Sequence, residues 1–193
     1  DHIIIHGKHP KGNHVRYIGE DLKTDDVVLT AGRRIIPADL GLLASLGFAE
    51  VNVSRRLRVA FFSTGDELKS IGETLETGQI YDSNRYTLYG MLKRLDVEIL
   101  DMGVVPDQRE PLRETLLQAA QQADVIITSG GVSVGDADYV KDMLAELGQV
   151  DFWKIAMRPG RPLAFGTINN ALFFGLPGNP VSVMVTFYQF VTP

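Results

Sequence analysis

The apolar residues in the last two-thirds of the chain follow two alternating patterns, which predict strands and helices in turn. A continuous apolar run is typical of a strand buried on both faces of a parallel sheet, and RVAFFST at 58–64 is such a run. VEILDMG at 97–103 and ADVIITS at 123–129 predict the second and third strands. Between and after these runs, apolar residues recur at helical spacing and predict helices at about 83–95, from Pro106 onward and at about 138–147, with Gly148 as the final stop. This alternation predicts an α/β fold with a three-layer, mostly parallel sheet.

Shorter apolar runs follow residue 148 and indicate a return to strands. The segments FWKIAM, PLAFG and ALFFGL predict three short strands, with RPGRP and INNA as their turns. The sequence LPGNP then leads into a final helix, VSVMVTFYQF.

The first 56 residues have a weaker pattern, which predicts small β/α fragments. Residues 1–22 predict a strand, a loop rich in Gly, Pro and Asn, and a second short strand. Residues 23–56 predict a strand and its return in DDVVLTAGRRI, a helix between Pro37 and Gly47, and a half-buried strand in AEVNVSR. Because the chain begins without Met and ends in an apolar pattern, we expect it to be a piece of a longer protein.

Composition restricts the classes of function. With 45% hydrophobic and 22% charged residues the chain is typical of globular proteins, and no apolar run approaches the ~20 residues of a membrane helix. The absence of Cys excludes disulfides, zinc–thiolate sites and thiol nucleophiles, and suits a cytoplasmic location. A net charge of −5 argues against broad binding of nucleic acid.

Histidine chemistry is disfavoured because of where the histidines lie. All four occur in the first fragment, at positions 2, 6, 9 and 14, and the predicted α/β domain contains none. A Ser-His-acid arrangement is therefore excluded from that domain. The irregular spacing of the four favours a solvated surface over a metal site.

The loops that follow the predicted strands carry the candidate chemistry. Ligands of open α/β sheets bind beyond the carboxyl ends of the strands, so we expect these loops to line one crevice. The first strand ends in STGDE, the second is followed by PD, the third ends in SGG and the last ends in LPGNP. The candidate residues on these loops are Thr64, Gly65, Glu67, Asp107, Ser129, Gly130, Gly131, Pro177, Gly178, Asn179 and Pro180.

The glycine-rich turn SGGVSVGDAD has two interpretations. Its glycines, Gly135 among them, and the hydroxyls of Ser129 and Ser133 would form an anion nest in front of a helix N-terminus. Asp136 and Asp138 would then hold Mg²⁺, which prefers a couple of carboxylates beside phosphate oxygens. Alternatively, the turn only joins a strand to a helix, with one of the two Asp residues as N-cap. Its spacing matches neither a Walker A loop nor GxGxxG.

Other polar residues fit the same chemistry. Glu67 lies beyond a buried strand end and is either a metal ligand, a clamp on a substrate hydroxyl or amine, or a solvated turn residue. Asp107 is either a functional carboxylate or a helix cap. Lys154, Arg158 and Arg161 place three cations within eight residues, which favours oxyanion binding over a solvated basic turn. Together these residues predict electrostatic positioning of anions with a divalent metal.

Five motifs, in this order, resemble the MoeA family of molybdopterin molybdenumtransferases, to which the E domain of gephyrin is related: STGDEL, GQIYDSNRY, SGGVSVGDADY, MRPGRPLAFG and GLPGNPVS. The resemblance runs from Glu20 to the end of the chain. It implies a four-domain, elongated homodimer. In that protein 1–22 would be the tail of a mainly β second domain, 23–56 part of the first domain, and 57–193 the MogA-like molybdopterin-binding domain.

The resemblance also implies an activity and the residues that carry it. The family inserts molybdate into adenylylated molybdopterin, releases AMP and requires Mg²⁺. Matched by motif, the catalytic carboxylates would be Asp21, Glu67, Asp107 and Asp138. Mg²⁺ would be held by Asp138, Glu67 and Asp136. Molybdate would be held by Lys154 and, where the family commonly has Lys, by Arg158 and Arg161. The glycine nest and the loop with Pro177 and Pro180 would hold the pterin substrate.

The sequence also leads to expectations about binding partners, and it leaves three alternative functions open. Other proteins of cofactor biosynthesis are implied as partners, and nucleic acid and membranes are not. One alternative is a MogA-type adenylyltransferase, against which Val132 and Ser133 argue because that family usually has GGTG there. A second is a non-catalytic, gephyrin-like scaffold, and a third is a fragment that binds pterin without turnover. We expect the isolated chain to be inactive.

Overall fold

The computed structural model describes residues 2–4, 6–131 and 138–193, without the side chains of Asp138 and Tyr139. The predictions for Val132, Ser133, Gly135 and Asp136 therefore lie outside the described residues. The chain divides into two compact units, residues 1–53 and 54–193. The predicted division of the first 56 residues into two domains stays a prediction.

The first unit contains the helix α1 (Pro37–Ser45), which the sequence predicts correctly. Pro37 occupies its first turn, and the carboxylate of Asp39 accepts the backbone N–H of Ile36 at 3.0 Å, so the start of the helix is well defined. Arg33 donates two hydrogen bonds to the same carboxylate, at 2.8 and 3.1 Å. These bonds hold the pKa of Asp39 below its ordinary value.

The strands predicted for this unit are wrong. Neither residues 1–22 nor the segments DDVVLTAGRRI and AEVNVSR contain a strand in the part of them that the structure describes. Alternation of apolar and polar residues makes a strand only when a neighbouring strand supplies hydrogen-bond partners. Among the described residues of this unit no such neighbour is present.

The second unit alternates strands and helices. Its first half contains β1 (Arg58–Thr64), β2 (Leu68–Lys69), β3 (Ile80–Tyr81), α2 (Ser83–Lys93), β4 (Glu98–Val105) and α3 (Arg109–Gln122). Its second half contains β5 (Val125–Ser129), α4 (Asp138–Leu147), β6 (Gly148–Lys154), β7 (Pro162–Ile168), β8 (Ala171–Leu176) and α5 (Pro180–Thr186). A π-helical turn, Phe187–Val191, continues α5.

Six of these strands form one sheet, in the order β4-β1-β5-β8-β7-β6. The first four strands of that order are parallel, whereas β7 is antiparallel to β8 and β6 is antiparallel to β7. The carboxyl ends of the four parallel strands therefore share one edge of the sheet. Because Ala164 near the start of β7 pairs with Gly175 near the end of β8, the β6–β7 turn lies at that same edge.

Apolar side chains on the two faces of the sheet form two separate cores. One core contains the buried faces of α3 and α4, and the other contains those of α2 and α5. Phe61 and Phe62, adjacent in β1, are both fully buried and belong to opposite cores, as side-chain alternation along a strand requires. The predicted three-layer α/β arrangement with a mostly parallel sheet is confirmed.

Three local details of this unit differ from the predictions. The helix α4 ends at Leu147, directly before Gly148, as predicted, but Gly148 also begins β6, which therefore starts and ends earlier than the strand predicted from FWKIAM. The helix predicted from Pro106 begins at Arg109 with Gln108 as its N-cap, so Asp107 does not cap it. The parallel pair β2–β3 escapes prediction because strands of two residues leave no periodic signal.

None of the helices in the described part of the chain is both long and apolar enough to span a membrane.

Candidate functional site

The turn after β5 lies directly on the end of β1. Gly130 and Gly131 have φ angles of +87° and +67°, a backbone region that favours glycine. An added Cβ at Gly130 would overlap the carbonyl oxygen of Thr64, and one at Gly131 would lie 2.7 Å from Thr64 Cγ2. The two glycines are therefore required for this close approach, and they are not only flexible connectors.

The loop after β8 completes the same surface. We call residues 176–180 the LPGNP loop. The Gly130 N–H donates to the carbonyl of Leu176 at 3.1 Å, and an added Cβ at Gly178 would lie 3.8 Å from Gly130 Cα. Pro177 is buried, whereas the rest of the loop from Gly178 onward is exposed. The structure thus brings four predicted cofactor-binding residues, Thr64, Gly130, Gly131 and Gly178, together with Leu176, and we call these five residues the strand-end cluster.

Asn179 and Pro180 form the junction between the LPGNP loop and α5. The Asn179 Oδ1 accepts the backbone N–H groups of Val181 at 3.1 Å and of Ser182 at 3.4 Å, so Asn179 caps the helix. Pro180 is the first residue of the helix, where its missing N–H costs nothing. Both predicted site residues therefore also have a local structural task.

Hydroxyl groups lie beneath this surface. Ser63 and Ser129, opposite each other in β1 and β5, are buried and their Oγ atoms are 3.0 Å apart. The hydroxyls of Thr64 and Thr128 are also buried and have no hydrogen-bond partner among the described residues. The predicted binding residue Ser129 is thus engaged below the turn, and its hydroxyl is not on the exposed surface.

Two predicted carboxylates lie on adjoining loops at this edge. Glu67 is exposed and curls back towards Gly65, where an added Cβ would lie 2.8 Å from Glu67 Oε2. The Asp66 Oδ1 accepts the backbone N–H of Asp107 at 3.1 Å and so joins the loop after β1 to the loop after β4. Asp107 is half-buried. From the sequence, Asp66 is a weaker candidate than its neighbour Glu67 for a metal ligand or a substrate clamp, and its link to Asp107 is visible only in the structure.

The predicted three-carboxylate metal site stays a prediction. Within the described residues, no group of three or more His, Asp or Glu side chains is placed to hold a metal ion. Asp138 begins α4, but its side chain lies outside the described part of the chain, as does all of Asp136. Asp21 belongs to the first unit, where it is exposed and forms an ion pair with Arg16.

The three predicted cations lie on the β6–β7 turn, at the same edge of the sheet. We call residues 154–161 the basic hairpin. Lys154, Arg158 and Arg161 are all exposed, and none of them forms an ion pair with a described residue. Gly160 is buried, with a φ of +100°, and an added Cβ would lie 2.9 Å from Thr186 Cγ2 on α5. The hairpin is therefore packed on the helix that follows the LPGNP loop.

The first turn of α2 adds two polar residues that sequence reasoning did not place in the site. Asp82 caps the helix by accepting the backbone N–H of Arg85 at 3.1 Å. Asn84 donates from Nδ2 to the carbonyl of Gly178 at 2.7 Å, a contact between residues 94 positions apart. Polar residues at a helix start are usually caps, so only the tertiary contact shows that Asn84 reaches the strand-end cluster.

Both units match described families. Residues 60–193 match the family described as "Probable molybdopterin binding domain", and residues 1–47 match "MoeA N-terminal region (domain I and II)". A molybdopterin molybdenumtransferase of Haemophilus influenzae is 53% identical over all of this chain, which covers 48% of that protein. Gephyrin of Dictyostelium discoideum is 40% identical over 94% of this chain and 29% of its own length. The chain thus spans about half, or less, of the curated relatives it matches.

Solved structures agree with these matches. A molybdopterin biosynthesis MoeA protein from Pyrococcus horikoshii superposes with a TM-score of 0.72 at 37% identity, over 84% of this chain and 40% of that one. A molybdopterin biosynthesis Mog protein from Mycobacterium ulcerans has a TM-score of 0.54 at 19% identity, over 72% of this chain and 94% of that one. The second likeness shows a common fold alone.

Proposed function

Since the chain belongs to the MoeA family, we propose that it forms the molybdopterin-binding part of an enzyme that inserts molybdate into adenylylated molybdopterin and releases AMP. One observation carries the proposal beyond family membership. The glycine backbone of the strand-end cluster and the basic hairpin, with its three exposed cations, occupy the same edge of the sheet. Two anionic substrates, a phosphate ester and an oxyanion, need two such regions side by side.

The glycine turn would hold the phosphate or diphosphate of the pterin substrate. The Gly130 N–H is engaged by the Leu176 carbonyl, so the N–H of Gly131, whose positive φ lets the backbone approach a ligand closely, would face the anion. The LPGNP loop, which touches the glycine turn at Gly130, would form the neighbouring wall. Its two prolines restrict the backbone, so the wall is preformed before substrate binds.

The basic hairpin would hold molybdate. The Lys154 ammonium offers a compact charge, and the guanidinium groups of Arg158 and Arg161 offer planar forks that bind two oxygens of an oxyanion at once. Their lack of ion pairs with described residues supports this role, because no carboxylate in that part of the chain competes with the anion.

The donor set at this edge fits Mg²⁺. Glu67 is exposed and Asp107 lies on the adjoining loop, and Mg²⁺ is usually held by one or two carboxylates together with phosphate oxygens and water. We propose that Glu67, Asp136 and Asp138 bind the ion, with Asp107 beside them. When bound, Mg²⁺ would neutralise charge on the phosphate group. Holding both anions close together is then the main task of the protein.

The remaining assignments concern the protein from which the chain comes. We propose that this protein is a cytoplasmic homodimer, that Asp21 supplies the fourth catalytic carboxylate, and that the isolated chain binds substrate without turnover. The coverage of about half of the relatives' length supports the last point.

A pair of Asp variants on α4 tests the proposal. In the full-length parent protein, Asp138→Asn should abolish Mg²⁺-dependent molybdate insertion, measured as AMP release and molybdenum bound to the product, while the thermal midpoint changes little. Asp142→Asn, on the exposed face of the same helix, is the matched control and should retain activity. Unchanged insertion by the Asp138 variant would contradict the proposal. Transfer of AMP from ATP to molybdopterin, instead of AMP release, would identify an adenylyltransferase.

A further inference from the structure

Asn84 is a buried polar residue that joins two separate parts of the second unit. The residue is 7% exposed, and its Nδ2 donates to the Gly178 carbonyl at 2.7 Å. The opposite orientation of the amide would place two acceptor oxygens against each other, so the contact itself fixes which end faces Gly178. A short, half-buried hydrogen bond over this sequence distance needs a reason beyond helix capping, since Asp82 already caps the helix.

The start of α2, where Asn84 lies, is firmly held. The Asp82 N–H donates to the carbonyl of Lys69 at 2.9 Å, which continues the β2–β3 pairing. Arg85 Nε donates to Asp101 Oδ1 of β4 at 2.6 Å, and this bond raises the pKa of Arg85. The first turn of the helix is therefore anchored to both the loop after β1 and the edge strand of the sheet.

The loop that receives the Asn84 hydrogen bond has few other constraints on its orientation. Several bonds described for the LPGNP loop lie at its two ends: the Gly130 N–H donates to Leu176, and Asn179 starts α5 through its side-chain cap and through its carbonyl, which accepts the Val183 N–H at 2.9 Å. Between these ends, the bond described is the one at Gly178. Pro177 and Pro180 stiffen the loop internally. Because the loop is stiff, it moves as a unit, and the bond from Asn84 to the Gly178 carbonyl determines where its exposed half lies.

We propose that Asn84 is a positioning residue for the pterin substrate: through Gly178 it holds the LPGNP loop in place against the glycine turn. We assign it to positioning because its Nδ2 group is engaged by the Gly178 carbonyl, while its Oδ1 is buried from solvent and has no hydrogen-bond partner among the described residues. The proposal rests on the proposed function for the identity of the substrate. It predicts an effect on pterin binding and none on molybdate, which the basic hairpin would hold.

The first test follows the loop itself and needs no activity. Asn84→Ala in the full-length protein should speed amide hydrogen exchange at Gly130, Val181 and Ser182 by about tenfold, the effect of losing one hydrogen bond of ordinary net strength. Thr87→Ala, one turn further along α2, removes only a local bond to the Ser83 carbonyl and serves as the control. Unchanged exchange at those three amides in the Asn84 variant would overturn the proposal.

The second test separates positioning from folding. Asn84→Ala should raise the KM for adenylylated molybdopterin about tenfold and leave the KM for molybdate within about twofold. Asn84→Asp keeps the volume but puts an acceptor against the Gly178 carbonyl, so its effect should be larger. A merely structural role would lower kcat through the active fraction and leave both KM values unchanged, and that result would overturn the proposal. A wild-type protein that inserts no molybdenum would instead contradict the proposed function, and the exchange test would still decide the role of Asn84.

Discussion

The two units of the chain differ in how many side chains are buried within each unit. In the second unit, 54–193, the helices bury both faces of a six-stranded sheet, and whole side chains such as Phe61 and Phe62 are inaccessible. In the first unit, only Asp39 is buried among the described residues, and Ile18 and Val27 are largely exposed. The comparison shows that local signals are enough to start a helix, as at Pro37, whereas a strand also requires a partner.

Removing a core aromatic should have the largest effect in this comparison. Phe62→Ala deletes a fully buried ring and should cost about 3–5 kcal/mol of the free energy of unfolding of the second unit. Phe48→Ala in the first unit removes a ring that is 56% exposed and should change stability by less than about 1 kcal/mol. Urea unfolding of the two variants measures both values. Equal losses would mean that the first unit has a core comparable to that of the second.

Substitution of two glycines with similar backbone angles should give the next largest difference in the free energy of unfolding. Gly130 and Gly32 have φ angles of +87° and +82°, but an added Cβ would overlap the Thr64 carbonyl only at Gly130 and would meet nothing within 4 Å at Gly32. Gly32→Ala should therefore cost about 1–2 kcal/mol, from the backbone angle alone. Gly130→Ala should cost about twice as much, since the end of β1 must also move. Equal costs in thermal unfolding would show that the close approach is not energetically important.

Low pH should lower the free energy of unfolding of each unit, and a different carboxylate should be responsible in each. Asp124 accepts both terminal nitrogens of Arg55 at 2.6 Å and the Arg58 N–H at 2.8 Å, which holds its pKa well below the usual range. The unfolded chain then takes up the proton first as pH falls. The stabilisation is therefore full above the unfolded pKa, near ~4, and is lost as the pH falls below it.

The substitution that tests this effect is Asp124→Asn. Its second unit should be less stable than wild type at pH 7, and the difference should shrink when urea unfolding is repeated at pH values below about 4. Glu98→Gln, at an exposed ion pair with Arg58, is the control and should alter the pH profile little. The substitution Asp39→Asn should lower the stability of the first unit only. Parallel pH profiles for wild type and the Asp124 variant would contradict this account.

Exposed ion pairs should give the smallest effects on stability. Asp96 pairs with Arg56 in the second unit and Asp21 pairs with Arg16 in the first, and all four side chains are more than half exposed. Asp96→Asn and Asp21→Asn should each change the free energy of unfolding by less than about 0.5 kcal/mol. If Asp21 is catalytic as proposed, its variant should nevertheless lose molybdate insertion in the parent protein. Full activity would remove Asp21 from the site.

The difference between the two units explains which strands could be predicted from the sequence. The runs RVAFFST and ADVIITS predict β1 and β5 correctly because strands buried on both faces need no alternation. AEVNVSR has better alternation, yet it forms no strand, since the signal carries no information about a partner. Motif order identifies the family, but the two-residue strands β2 and β3 have too little sequence to be predicted.

The candidate site shows the same limit. Glycines after strand ends predict the turn at 130–131, because a backbone angle is a local property. The tasks of Asn84 and Asp66 depend instead on partners far along the chain, Gly178 and Asp107, and become visible only in the fold. A side chain whose task depends on a distant partner therefore escapes prediction from sequence, whether it is an amide or a carboxylate.

The interior position of β1, between β4 and β5 in the sheet, has a consequence for the folding of the chain during its synthesis. β1 is the first strand of the second unit to leave the ribosome, yet it pairs on one edge with β4 and on the other with β5, joining Val59 to both Ile99 and Val125. Until residue 129 has emerged, the edge that faces β5 stays bare, and a bare apolar edge is a template for pairing with other chains. Distant parallel pairings also slow folding. Placing the strand-end cluster at the end of an interior strand thus exposes the nascent chain to aggregation for a longer time.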